Sequence, residues 1–85
     1  MSKNIRALFP ATFDPIHNGH IDIALRASLI FDEVVLGVYD RPLKSLLFPY
    51  EVRMDLVQKC FINHPNIIVK SYGGLTVDFC KEIGA

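Results

Sequence analysis

Two histidines flank a glycine in the run Thr12-Phe13-Asp14-Pro15-Ile16-His17-Asn18-Gly19-His20. The run joins a short apolar stretch, residues 5–9, to a stretch with helical spacing of apolar residues, 19–30. A helix N-terminus presents unpaired N–H groups and a partial positive charge, so it favours phosphate. Two imidazoles add donors there, and Gly19 allows a ligand close to the backbone. The chemistry this predicts is the holding of a nucleotide phosphate. His20 is the better ligand, because it stands nearer the first helical turn. His17 shares its face if both residues are helical. Thr12, Asp14 and Asn18 supply further polar groups around them. Two alternatives stand beside this reading: one histidine caps the helix or packs in the core, or the pair binds zinc with Asp14. For zinc, no further soft ligand stands at a suitable spacing.

The elements that must position these residues alternate. Residues 5–9 read as a strand and 19–30 as a helix, with Ile21, Leu25, Ser28 and Leu29 near one face. Residues 33–39 read as a second strand. Its centre, Val34-Val35-Leu36-Gly37-Val38, is continuously apolar, as expected of a parallel strand covered on both faces. Residues 40–48 form a loop containing the Asp40-Arg41-Pro42 turn. Pro49 or Tyr50 opens a second helix, with Val52, Leu56 and Cys60 as its core face. His64-Pro65-Asn66 is a turn with a surface histidine. Residue 67 begins a third strand, which Gly73-Gly74 breaks. Leu75, Phe79 and Ile83 mark a third helix that Gly84 caps. The fold expected is α/β: a Rossmann-like three-layer parallel sheet in which strand and helix repeat three times. Three strands make a thin sheet, so this looks like an incomplete half of a larger fold.

In an open parallel sheet, ligands collect over the carboxyl ends of the strands. Lys44 and the run Gly73-Gly74-Leu75-Thr76 both fall on that edge, beside Thr12 and His20. Lys44 is placed to reach a phosphate held by His20 and Thr12, and Thr76 to line the same pocket. Each has a plainer reading, a solvated lysine and a glycine turn with its helix cap. It is the convergence of three loops on one edge that points to a site.

Composition excludes several classes. Lys and Arg number 9 and Asp and Glu 9, so no net charge draws the chain to nucleic acid or to an anionic membrane. No apolar run approaches the roughly 20 residues of a membrane span, and the first residues carry no signal-peptide core. A cytoplasmic protein is the default. Cys60 and Cys80 read as buried or half-buried thiols, with no CxxC spacing. GxGxxG, a Walker loop and a nucleophile elbow are all absent.

The motifs together resemble a known family. Phe9-Pro10-Ala11-Thr12-Phe13-Asp14-Pro15-Ile16-His17-Asn18-Gly19-His20 is similar to the first signature of the bacterial phosphopantetheine adenylyltransferases, and contains the HxGH of the nucleotidyltransferase superfamily. Phe31-Asp32-Glu33-Val34-Val35, Arg41-Pro42-Leu43-Lys44 and Gly74-Leu75-Thr76-Val77-Asp78-Phe79 extend the likeness over residues 5–85. The resemblance implies that residues 1–85 are the N-terminal part of a nucleotidyltransferase domain. It implies the reaction of ATP with 4′-phosphopantetheine to give dephospho-coenzyme A and pyrophosphate, in coenzyme A synthesis. By the same resemblance, His20 stabilises the transition state at the α-phosphate. Thr12, Phe13 and His20 bind ATP. Thr12, Lys44 and Thr76 bind the pantetheine substrate, and His17, Asn18 and Gly19 support them. Magnesium arrives with ATP, no protein metal site is implied, and the family assembles as hexamers.

Ala11 stands where that family usually has glycine, Phe9 where tyrosine is common, and Pro49 in place of a Ser or Thr cap. The family's chains are nearly twice as long. Their further half carries an arginine-rich segment and a serine-rich ATP motif, so the present residues are expected to hold half an active site. Two other functions compete: a nicotinate-mononucleotide adenylyltransferase, which shares the Phe13-to-His20 string, and a non-catalytic nucleotide-binding or assembly module.

Overall fold

The computed structural model describes residues 5–39 and 48–85. Six elements alternate along the chain: β1 (Arg6–Ala11), α1 (Asn18–Ile30), β2 (Glu33–Tyr39), α2 (Tyr50–Cys60), β3 (Ile67–Tyr72) and α3 (Thr76–Glu82). The strands form one parallel sheet in the order β1-β2-β3, with Leu8 opposite Val35 and Val35 opposite Ile68. The expected strand–helix alternation is therefore present. The first strand runs two residues further than the apolar pattern suggested, through Pro10. Among the described residues β1 pairs only with β2, so the proline, which has no N–H, interrupts no second ladder there.

Strand periodicity sorts the core into two layers. Val34, Leu36 and Val38 of β2 face α1 and α2, packing with Ala24, Val57, Phe61 and Ile67. Val35 faces the other way, onto Phe79 and Ile83 of α3. The central strand is thus covered on both faces, as its unbroken apolar run required. Gly37 makes the second contact possible. A methyl group there would stand 3.0 Å from the Phe79 ring and 3.1 Å from both Leu8 and Tyr72. Only glycine lets α3 lie so close to the sheet.

Helix ends follow their local chemistry. Gly84 has φ +75°, its N–H donates to the Lys81 carbonyl, and the Ala85 N–H donates to the Cys80 carbonyl, a Schellman closure. Arg6, held to Glu33 at 2.5 Å, donates a further bond to the Ile83 carbonyl, so β1 caps α3. Pro49 precedes α2 and makes no side-chain cap.

Three packing expectations are corrected. The buried stripe of α2 is Arg53 and Val57, joined by the partly buried Met54, and not Val52, Leu56 and Cys60; Val52 and Cys60 are exposed. The helix is turned by about one residue, roughly 100°. On α1, Leu29 is exposed and Ala24 is the fully buried residue. His64 is half-buried, its ring edge-on to Phe61 at 6.3 Å.

Candidate active site

The turn that leaves β1 carries the first part of the site. Phe13 has φ 55°, in the left-handed region that costs an aromatic residue about 1–2 kcal/mol. Burial of its ring offsets this, at roughly 1.5–3 kcal/mol, since Phe13 is only 2% exposed. The ring packs edge-on to Phe9 at 5.6 Å and lies 4.8 Å from the His20 imidazole. Phe13 is therefore packed against His20 with its ring buried. The following Asp14–Pro15 peptide is cis, and Asp14 Oδ1 accepts from the Phe48 N–H at 2.8 Å.

The start of α1 fixes both histidines. His17 is the N-cap, and its Nδ1 accepts from the Gly19 N–H at 3.0 Å. In return, His20 Nδ1 accepts from the His17 N–H at 3.1 Å. The two rings stack with centroids 3.7 Å apart. The cap role that the sequence left as an alternative is thus filled by these two residues. Each Nδ1 is used as an acceptor, so in the neutral rings the proton sits on Nε2, which is left as a donor. Gly19 serves the cap directly: a methyl group on it would stand 2.9 Å from His17 Cε1. The space that a side chain at Gly19 would take is filled by the His17 imidazole.

Burial, and secondarily the charge of neighbouring His17, lowers the His20 pKa from its usual 6.5. His20 is accordingly a neutral Nε2–H donor at physiological pH. Protonation at Nδ1 would remove the acceptor that holds the His17 N–H. A group whose folded pKa is depressed gives stability that is present above its unfolded value and lost as pH falls through the folded one. Unfolding free energy is therefore expected to fall as pH drops from about 7 through the lowered pKa. Urea titrations across that window check this. His20→Gln, which cannot titrate, should flatten the slope relative to the parent; an unchanged slope would reject the assignment.

On the α3 side of the same strand ends lies a groove of about 400 Å³. Thr12 and Thr76 both line it, with Leu75 and two residues that sequence reasoning missed, Tyr39 and Tyr72. These tyrosines are the last residues of β2 and β3 and are register partners, their rings 5.2 Å apart. Their matching positions at two strand ends were the available signal. The Tyr72 ring also stacks on Phe79 at 4.5 Å, and its hydroxyl lies 2.9 Å from Thr76 Oγ1. Thr12 links the two parts, since it lines the groove and leads into the turn under His20. The structure brings Thr12 and Thr76 together. It places His17, Asn18, Gly19 and His20 at the head of α1. Lys44 and Asp40 lie outside the described residues.

Among the described residues, no group of three His, Cys, Asp or Glu side chains is placed to hold a metal ion. Nor is any helix among them long and apolar enough to cross a membrane.

The parallel sheet thus carries Thr12, Tyr39 and Tyr72 at its carboxyl edge and an imidazole pair at the head of its first helix. The chain belongs to the cytidylyltransferase-like family, whose model matches residues 8–85. Among individual proteins it is similar to the phosphopantetheine adenylyltransferase of Roseiflexus sp. (strain RS-1), 48% identical over 93% of this chain and 49% of the relative. That of Herpetosiphon aurantiacus is 48% identical over 93% of this chain and 48% of its own. That of Clostridium tetani is 49% identical over 89% of this chain and 48% of its own. The chain spans about half the length of the curated relatives it matches.

Proposed function

We propose that this chain carries part of the active site of a cytoplasmic phosphopantetheine adenylyltransferase, with residues 1–85 as the N-terminal part of its domain. The reaction joins 4′-phosphopantetheine to the AMP portion of ATP. A phosphate oxygen of the pantetheine substrate forms a bond to the α-phosphorus as the bond to pyrophosphate breaks, giving dephospho-coenzyme A. The nucleophile is already anionic, so no strong base is needed, and catalysis reduces to alignment and charge stabilisation.

The observation that carries this reading is the place of Thr12, which lines the groove with Thr76 and leads into the turn beneath His20. A phosphate-bearing acceptor in the groove and a triphosphate at the head of α1 would meet at that residue. His20, neutral and with Nε2–H free to donate, suits the charge that grows on the α-phosphate oxygens. Thr12 and Phe13 position ATP, Phe13 by holding His20. Thr76 meets the pantetheine arm, and Lys44 grips a substrate phosphate. Magnesium enters as part of the MgATP substrate. Hexameric assembly belongs to the same proposal.

Calorimetric titration tests the acceptor. 4′-Phosphopantetheine is expected to bind this chain saturably, and nicotinate mononucleotide is not. In a chain of the relatives' length, ATP plus 4′-phosphopantetheine should release pyrophosphate. Binding of the mononucleotide instead would favour the competing adenylyltransferase. Binding without turnover at full length would favour a non-catalytic module.

A further inference from the structure

Arg53 is the only buried charged side chain among the described residues, with an exposure of 0%. It lies in α2 and points to the carboxyl edge of the sheet. Its Nη1 donates to two carbonyls, that of Thr12 at 2.8 Å and that of Tyr39 at 2.9 Å. These lie just beyond β1 and at the end of β2, on separate strands. Its Nε and Nη2 have no hydrogen-bond partner among the described residues, and no carboxylate there pairs with it. The Tyr50 ring, one turn earlier, lies 5.9 Å from Cζ.

A buried guanidinium whose Nε and Nη2 find no partner among the described residues is a poor way to stabilise a core; an apolar side chain of similar length often does as well or better. What arginine supplies here is a fixed bond to two strand ends at once. Thr12 and Tyr39 are two walls of the groove. The Thr12 carbonyl also belongs to the peptide that enters the left-handed Phe13, so the same bond bears on the turn under His20.

We propose that Arg53 is a positioning residue: by holding the Thr12 and Tyr39 carbonyls on one nitrogen, it sets the width of the groove and the fit of its phosphate-bearing ligand. The ligand part of this rests on the proposed acceptor site; the holding of the two strand ends does not. Arg53 is fully buried and does not line the groove, so its effect there passes through main chain.

Arg53→Met and Arg53→Lys test this in the 85-residue chain. In the free protein, the carbonyl carbon resonances of Thr12 and Tyr39 and the Phe13 amide should shift more than those of any other residue outside α2. The melting temperature of Arg53→Met should stay at or above that of the parent. The dissociation constant for 4′-phosphopantetheine should rise on the order of tenfold in Arg53→Met. Should that variant not fold, Arg53→Lys, which keeps the cation without the planar fork, must show the same localised shifts. Shifts spread evenly over the sheet would overturn the proposal, as would localised shifts with parent affinity. If the parent chain binds no 4′-phosphopantetheine, the acceptor reading fails, and the free-protein resonances alone decide whether Arg53 holds the strand ends.

Discussion

Replacing His20 with alanine is expected to lower kcat of the proposed adenylyl transfer on the order of a hundredfold to a thousandfold. The dissociation constant for ATP should change far less. The imidazole stands at the head of α1, its Nδ1 committed to the His17 N–H. That commitment leaves Nε2–H as its one available donor, and the lowered pKa keeps the ring neutral. A neutral donor gains most where charge grows during the reaction, so its loss appears in the transition state before the ground state. His20→Gln, which offers an amide donor of different reach, should recover part of the rate. The measurement is steady-state pyrophosphate release, with ATP affinity determined separately, in a chain of the relatives' length. Equal losses in kcat and ATP affinity would reject the transition-state role. Because alanine also removes the acceptor for the His17 N–H, the melting temperature of the variant must be taken alongside.

The second large effect is on stability. Leu36→Ala is expected to cost about 2–5 kcal/mol, from lost burial and the cavity left behind. Leu36 is 0% exposed at the centre of the middle strand, packed in the layer formed by α1 and α2. It lies opposite Phe9 on one side and Val69 on the other, so no mobile surface can collapse into the space. A domain of this size has roughly 4–13 kcal/mol of unfolding free energy at most. Its sheet has three strands among the described residues, which places it toward the lower end of that range. The substitution should therefore unfold much of the population at 37 °C. Leu29→Ala, at a residue 87% exposed on α1, should move stability by less than about 0.5 kcal/mol. Urea denaturation followed by circular dichroism compares the two. A Leu36→Ala loss below about 1 kcal/mol would mean that the middle strand is not the core.

The sequence by itself determined the order of the elements and the edge on which the strands end together. Both follow from local rules. An unbroken apolar run such as Val34-Val35-Leu36-Gly37-Val38 demands cover on two faces, and helices between such strands supply it only in a parallel sheet. Parallel strands then place the strand ends Ala11, Tyr39 and Tyr72 on one edge, whatever the details of packing. The HxGH run announced the head of α1 for the same reason, since its residue types act through free N–H groups close in the chain.

Tertiary structure decided what depends on distant partners. The apolar spacing Val52, Leu56, Cys60 and the stripe Arg53, Val57, Phe61 are equally helical, and hydropathy favoured the first. The second is the buried one, and on it Arg53 meets the Thr12 and Tyr39 carbonyls, 41 and 14 residues away in sequence, acceptors brought together only once β1 and β2 are paired. Tyr39 and Tyr72 become neighbours through register alone. The histidine tautomers were set by the cap, through bonds of two and three residues' span that needed the helix start to be placed first. Local periodicity specifies which segments fold; the pairing of buried polar groups specifies how each is turned, because a buried donor has few acceptors to choose from.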